Sequence, residues 1–231
     1  MIEIGNTYTS KEGLEYTILE KEKNWYIIYN KSLGLMNRTS GLRIRQGTAS
    51  LYIKCGGYFI FDDIEEFKKA TKTRAYRCWI GIFGRIGKGN YKDVTIHKDW
   101  LCFNNFLTFY ERWYREGFVL DKDLLSNGKK IYSADTCCFI PNVLNCAIRE
   151  LSTSKRNGDH PIIFMSFHTS HEMIYCKDRE EKEKLFNLYR VVKIRTLVSL
   201  YDTQIRKEAI ERIYQLYNIK DYGKNTDSST L

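Results

Sequence analysis

The stretch LDKDLLSNGKKIYSADTCCFIPNVLN, from Leu120 to Asn145, decides how the rest of the chain is read. Asp121 and Asp123 stand on either side of Lys122, and Ser126-Asn127-Gly128 follow as a polar turn. Ile131-Tyr132-Ser133 and the apolar run Cys137 to Ile140 come next, and Pro141 stops that run. An Asn-Gly step between short apolar runs is a strong hairpin signal, so the predicted order is strand, turn, strand, helix. Pro141 suits the first turn of a helix, where a missing N–H costs nothing. Helical geometry then returns Asn145 to the mouth of the hairpin, beside Asp121 and Asp123. Two carboxylates and an amide oxygen converging on one point suit a hard cation such as Mg²⁺. The competing reading is that the two carboxylates merely flank the turn in solvent.

The same residues carry a resemblance. Leu120-Asp121-Lys122-Asp123, Asn127-Gly128-Lys129-Lys130, Tyr132-Ser133, Thr136-Cys137, Phe139, Pro141 and Asn145 resemble the ββα-metal motif of HNH nucleases, in the divergent form of phage-encoded HNH-like proteins. The resemblance implies a central helix-ββα unit with Asp121, Asp123 and Asn145 as metal-binding and catalytic residues and Mg²⁺ as cofactor. Lys122, Lys129 and Lys130 would then hold phosphates. The chain departs from the family where HNH chemistry uses a His as general base. Asp121 stands at that place, the stretch contains no His, and a carboxylate is a weak base at pH 7. His97 is the nearest His upstream.

Composition sets the outer bounds. The 231 residues, 43% hydrophobic and 14% aromatic, can bury one sizeable core or two to three small ones. No run of 18 or more apolar residues is present, and the first residues, MIEIGNTYTSKEG, lack the apolar core of a signal peptide. A cytoplasmic protein is therefore expected, in a bacterial host if the phage likeness holds, with no membrane partner. Seven cysteines without a CxxC pair fit neither a zinc site nor a disulfide framework.

The net charge is +9, and its distribution points to nucleic acid. From Phe67 to Lys92 the chain has eight Lys or Arg and no Asp or Glu. Lys72, Arg74, Arg77, Arg85 and Lys88 lie in that run, interleaved with Tyr76, Trp79, Phe83 and Tyr91. Tyr76, Trp79, Ile82-Phe83 and Ile86 form a helical apolar stripe, and Arg77 and Arg85 fall off it, free to face phosphate.

In chain order, residues 1–60 read as a small antiparallel β-barrel, with short runs at Glu15–Leu19, Trp25–Tyr29 and Leu51–Lys54 between glycines. Its aromatics (Tyr8, Tyr16, Trp25, Tyr29) are expected in the core. Residues 61–150 form the second unit, with a helix over Ile64–Ala70 capped by Asp62 or Asp63 and another capped by Asp99. The basic loop after Asn145 adds Lys155 and Arg156 to the nucleic-acid-binding set. Residues 151–222 read as a short sheet followed by long helices and weakly resemble an Apetala-type DNA-binding domain. Leu185, Leu188-Tyr189, Val192, Thr196 and Ser199-Leu200 mark one helix face there. Residues 223–231 are a polar tail.

The fold class expected is thus α+β. The resemblance implies a protein that binds double-stranded DNA, as a Mg²⁺-dependent nicking or homing-type endonuclease. The alternative is an inactive HNH scaffold acting as a phage anti-defence protein that binds a host defence protein or a nucleotide.

Overall fold

A computed structural model describes residues 2–149, 162–167 and 170–219, with the backbone alone for 162–167 and 170–173. Lys155, Arg156 and the tail from 223 lie outside the described residues. The chain divides into two compact units. Met1–Arg112 with Gly128–Asp135 make the first, and Trp113–Asn127 with Thr136–Leu231 the second.

The first unit opens with β1 (Thr7–Thr9), β2 (Glu15–Glu22), β3 (Trp25–Asn30) and β4 (Leu35–Ser40), an antiparallel sheet in chain order. The sheet is open, which corrects the expected barrel. β1 is three residues long and among the described residues pairs only with β2, while Ser40 ends β4 by capping the helix α1 (Gly41–Arg45) through Arg43 N–H. Residues 51–54, expected as a strand, do not return to close the sheet. Tyr16, Ile18, Tyr26, Ile28 and Leu35 pack with Ile44, Ala49 and Leu51 on one side of it. Trp25 is half exposed, so it is not the core residue expected.

α2 (Ile64–Ala70) begins where the sequence placed it, with the Asp63 carboxylate accepting from Glu66 N–H at 2.8 Å. α3 (Arg74–Arg85) is capped by Thr73 and buries Ala75, Trp79, Ile82 and Phe83. Trp79 sits 4.8–5.4 Å from the rings of Phe83, Phe59 and Phe103, and its indole N–H donates to Trp100 O at 2.8 Å. These contacts fix which way α3 faces. β5 (Thr95–Ile96) follows, and then a 3-10 turn, Lys98–Leu101, capped by His97 rather than Asp99. The helix expected from Asp99 starts later, as α4 (Phe103–Trp113), because Trp100 is held in the turn against Phe106 and Phe109.

The chain then enters the second unit as β6 (Phe118–Asp121) and returns to the first as β7 (Ile131–Tyr132). Asn127 and Gly128 both have positive φ, so the turn forms, but it does not join two paired strands. β7 pairs in parallel with β5, while β6 pairs antiparallel with β8 (Cys138–Pro141). The hairpin read around Asn127-Gly128 is corrected accordingly. α5 (Asn142–Arg149) follows β8 directly, so the order strand, strand, helix survives with a different second strand.

β9 (Ile162–Phe167) and β10 (Ser170–Tyr175) form an antiparallel pair ahead of α6 (Arg179–Leu200) and α7 (Lys207–Leu216). α6 buries Tyr189, Ile194, Leu197 and Val198. Of the face read from the sequence only Tyr189 is buried, whereas Leu188, Val192 and Leu200 are exposed. Arg190 of α6 donates to Ala147 O at 3.0 Å, to Ile148 O, and to the Tyr217 hydroxyl at 3.0 Å. That hydroxyl in turn donates to Ile148 O at 3.0 Å. The last carbonyls of α5, which have no partner inside the helix, are satisfied in this way.

Candidate nucleic-acid interface

Asp121 ends β6 with its carboxylate turned into the following bend. Its Oδ1 accepts from Asp123 N–H at 2.9 Å and Leu124 N–H at 2.8 Å. This is a local acidic turn of the kind short Asp side chains make. Ser126 closes the bend by donating its hydroxyl to Asp123 O at 2.9 Å. Asp121 is 5% exposed, so the solvated-turn reading does not hold for it. Its Oδ2 lies 3.3 Å from the guanidinium of Arg149 on α5, which also approaches Asp123 at 4.0 Å. Asp123 itself is exposed and bonded to the Lys122 ammonium. Arg149 was not singled out by the sequence reading. Its one signal is its position, one helical turn beyond Asn145.

Asn145 lies on α5 as expected and is buried, and its Oδ1 has no hydrogen-bond partner among the described residues. The three residues expected to hold Mg²⁺ therefore divide. Asp121 spends both oxygens on the chain's own groups, and a cationic side chain already faces the two carboxylates. Among the described residues no group of three or more His, Cys, Asp or Glu side chains is placed to hold a metal ion. The set as folded does not fit a resident Mg²⁺. His97 belongs to the other unit, where its Nδ1 lies 3.4 Å from the Asp99 carboxylate. Beside Asp121 the Cys138 thiol is pushed well up from its ordinary value, by burial first and then by the nearby carboxylate, so it is no nucleophile.

The basic run gives a different picture. Burying Trp79, Ile82 and Phe83 turns Arg74, Arg77 and Arg85 outward, at the three- and eight-residue spacings that share one helix face. Lys72 and Lys88 extend the stripe at its two ends, and all five side chains are exposed. α2 and α6 carry Glu in their first turns, but α3 has no acidic residue there. Its N-terminal dipole is reinforced by Lys72 and Arg74 instead of being neutralised.

Arg85 donates to Gly81 O at 3.1 Å and to the Tyr132 hydroxyl at 3.3 Å, tying the end of α3 to β7. The exposed Lys129 and Lys130 precede that strand, and Lys130 bonds Asp93 at 3.2 Å. Lys68 does not join the stripe. It turns to Glu20 and Glu65, which raise its pKa strongly against the effect of burial. Lys122, in the second unit, is committed to Asp123.

No family model, no curated protein and no solved structure matches the chain. Its class is given by its fold: a mixed α+β protein with a four-stranded antiparallel sheet. Among the described residues no helix is long and apolar enough to cross a membrane.

Proposed function

We propose that the protein binds double-stranded DNA, and that the outward face of α3 is the surface that does so. One observation carries this reading: Arg74, Arg77 and Arg85 stand exposed along α3 with Lys72 and Lys88 exposed just beyond its two ends, in a stretch from Phe67 to Lys92 without a single acidic residue. A row of guanidinium and ammonium groups on a rigid helix matches a phosphate backbone, and releasing condensed counterions supplies the affinity. Arg suits this role beyond its charge, because its planar fork bonds phosphate with two donors. Lys129 and Lys130, brought to the end of α3 by β7, extend the contact.

A second reading, phosphodiester cleavage at the β6–β8–α5 unit, has the buried and unpartnered Oδ1 of Asn145 in its favour. Against it stands the commitment of Asp121 to backbone N–H groups and Arg149. Two assays separate them. Fluorescence anisotropy with a labelled duplex in EDTA should show binding with a log–log salt slope of about −4 to −5 if about five phosphates are contacted. Arg77→Ala should weaken the binding and reduce that slope by ~0.9. No binding at low salt, or an affinity untouched by Arg74→Ala and Arg77→Ala, sinks the proposal. Supercoiled plasmid nicked only with Mg²⁺ or Mn²⁺, and not by Asp121→Ala, would favour the second reading.

A further inference from the structure

α6 is apolar on two sides, and the described chain covers one of them. It packs against α5 and β9 and buries Tyr189, Ile194, Leu197 and Val198. The other side carries Glu181, Leu185, Leu188, Val192 and Arg195, whose spacings of four, three, four and three residues keep them on one stripe. Leu188 is 61% exposed and Val192 45%, Leu185 is partly exposed, and Glu181 and Arg195 stand exposed at the two ends. Contiguous exposed aliphatic side chains at this spacing form the seam by which helices pair, unlike apolar residues scattered singly over a surface. The segments outside the described residues are poor in apolar cover by composition. Residues 150–161 (ELSTSKRNGDHP) hold Leu151 as their one large apolar side chain besides Pro161, and residues 220–231 (KDYGKNTDSSTL) hold Tyr222 and Leu231.

We infer that this stripe is the seam of a homodimer, in which α6 of two copies pack antiparallel about a two-fold axis at Leu188. A two-fold interface has to be self-complementary, and the stripe meets that demand in charge as well as in shape. Glu181 and Arg195 each lie seven residues from Leu188, so reversing one copy about that residue sets Glu181 of each copy opposite Arg195 of the other. Leu188 then meets its own counterpart, and Leu185 falls within one residue of Val192. A parallel pair would set Glu181 against Glu181 and Arg195 against Arg195, and facing like charges repel. The antiparallel pair also opposes the two helix dipoles. The Glu181 carboxylate is anchored where this pairing needs it, because its Oε2 accepts from Lys177 N–H at 2.5 Å and its own N–H donates to Asp178 at 2.9 Å. An ionised carboxylate still has acceptor sites for a guanidinium. The dimer is independent of the proposed DNA binding.

The test is sedimentation velocity of the full chain, free of nucleic acid, from ~1 to ~200 µM. One helix packed on one helix is a small interface, so a dimer with a Kd on the order of 10 µM is expected. Leu188→Glu places two carboxylates on the axis and should keep the protein monomeric over that range. Because Leu188 is exposed, that variant should melt within ~2 °C of wild type at the lowest concentration. Arg195→Glu should weaken association about tenfold, and adding Glu181→Arg should restore it to within about threefold of wild type. A wild type that stays monomeric up to ~200 µM overturns the inference. A dimer that Leu188→Glu leaves intact also overturns it, since another surface then holds the copies together. A dimer that needs Leu188 but ignores Arg195→Glu overturns the antiparallel register.

Discussion

Replacing Asp121 separates a carboxylate that holds a turn from one kept for a cation. The structure gives it three bonds: two backbone N–H donors at 2.8–2.9 Å on Oδ1, and Arg149 at 3.3 Å from Oδ2. Alanine removes all three and leaves the part-buried Asp123 N–H and the buried Leu124 N–H without that acceptor. Hydrogen bonds to charged groups contribute ~1.5–3 kcal/mol each, so a loss of about 3–5 kcal/mol is expected. Asparagine keeps an oxygen for the two N–H groups and loses only the charge facing Arg149. Arg149 is 56% exposed, so that pair is worth no more than ~1 kcal/mol. At ~2–4 °C per kcal/mol, alanine should lower the melting temperature by ~6–20 °C and asparagine by no more than ~4 °C. Both should be measured in EDTA and again in Mg²⁺. If the carboxylate is instead kept for a cation, removing it in EDTA relieves repulsion with Asp123. Alanine would then melt at or above wild type. That result would refute the turn-holding account and return Asp121 to the metal reading.

Four further outcomes follow from the packing. Tyr217→Phe removes one donor to Ile148 O and one acceptor from Arg190, and should cost about 1–2 kcal/mol in urea denaturation. Arg190→Ala also uncovers Ala147 O and should cost more, about 2–4 kcal/mol, and an Arg190→Ala midpoint equal to wild type would deny that α6 caps α5. The Cys78 thiol is pushed from 9.0 up to about 11 by burial, against the pull of Arg85 and Arg74. The folded state therefore holds this proton more tightly than the unfolded state does. The resulting stability is complete below about pH 9 and lost as pH rises toward 11, and Cys78→Ala should flatten that limb of the stability–pH curve. At pH 8, mass mapping after iodoacetamide should find Cys55 and Cys146 labelled well before Cys78.

Where the sequence was legible, the deciding interaction was local. The bounds of α2 could be read because Asp63 caps its own helix three residues on. The outward face of α3 could be read because Trp79, Ile82 and Phe83 repeat at helical spacing. The failures come from partners distant in the chain. Asn127-Gly128 makes its turn, but nothing in the turn says that Ile131-Tyr132 will pair with Thr95-Ile96. α6 carries apolar residues on more than one face, so periodicity alone chose a stripe of which Leu188, Val192 and Leu200 are exposed. The barrel failed for a similar reason, since closure needs a strand to return to β1 and glycine spacing cannot supply one.

The candidate site divides along the same line. Its basic half was visible because charge on a helix face is written in the order of residues. The acidic half was ambiguous because Asp-x-Asp at the end of a strand suits a metal ligand and a self-capped bend alike. What separates those readings is the long-range placement of Arg149, twenty-eight residues beyond Asp121. An arginine that neutralises the two carboxylates takes from the unit the charge that a cation would need. The proposed DNA binding therefore rests on α3, whose exposed arginines have no acidic neighbour in sequence.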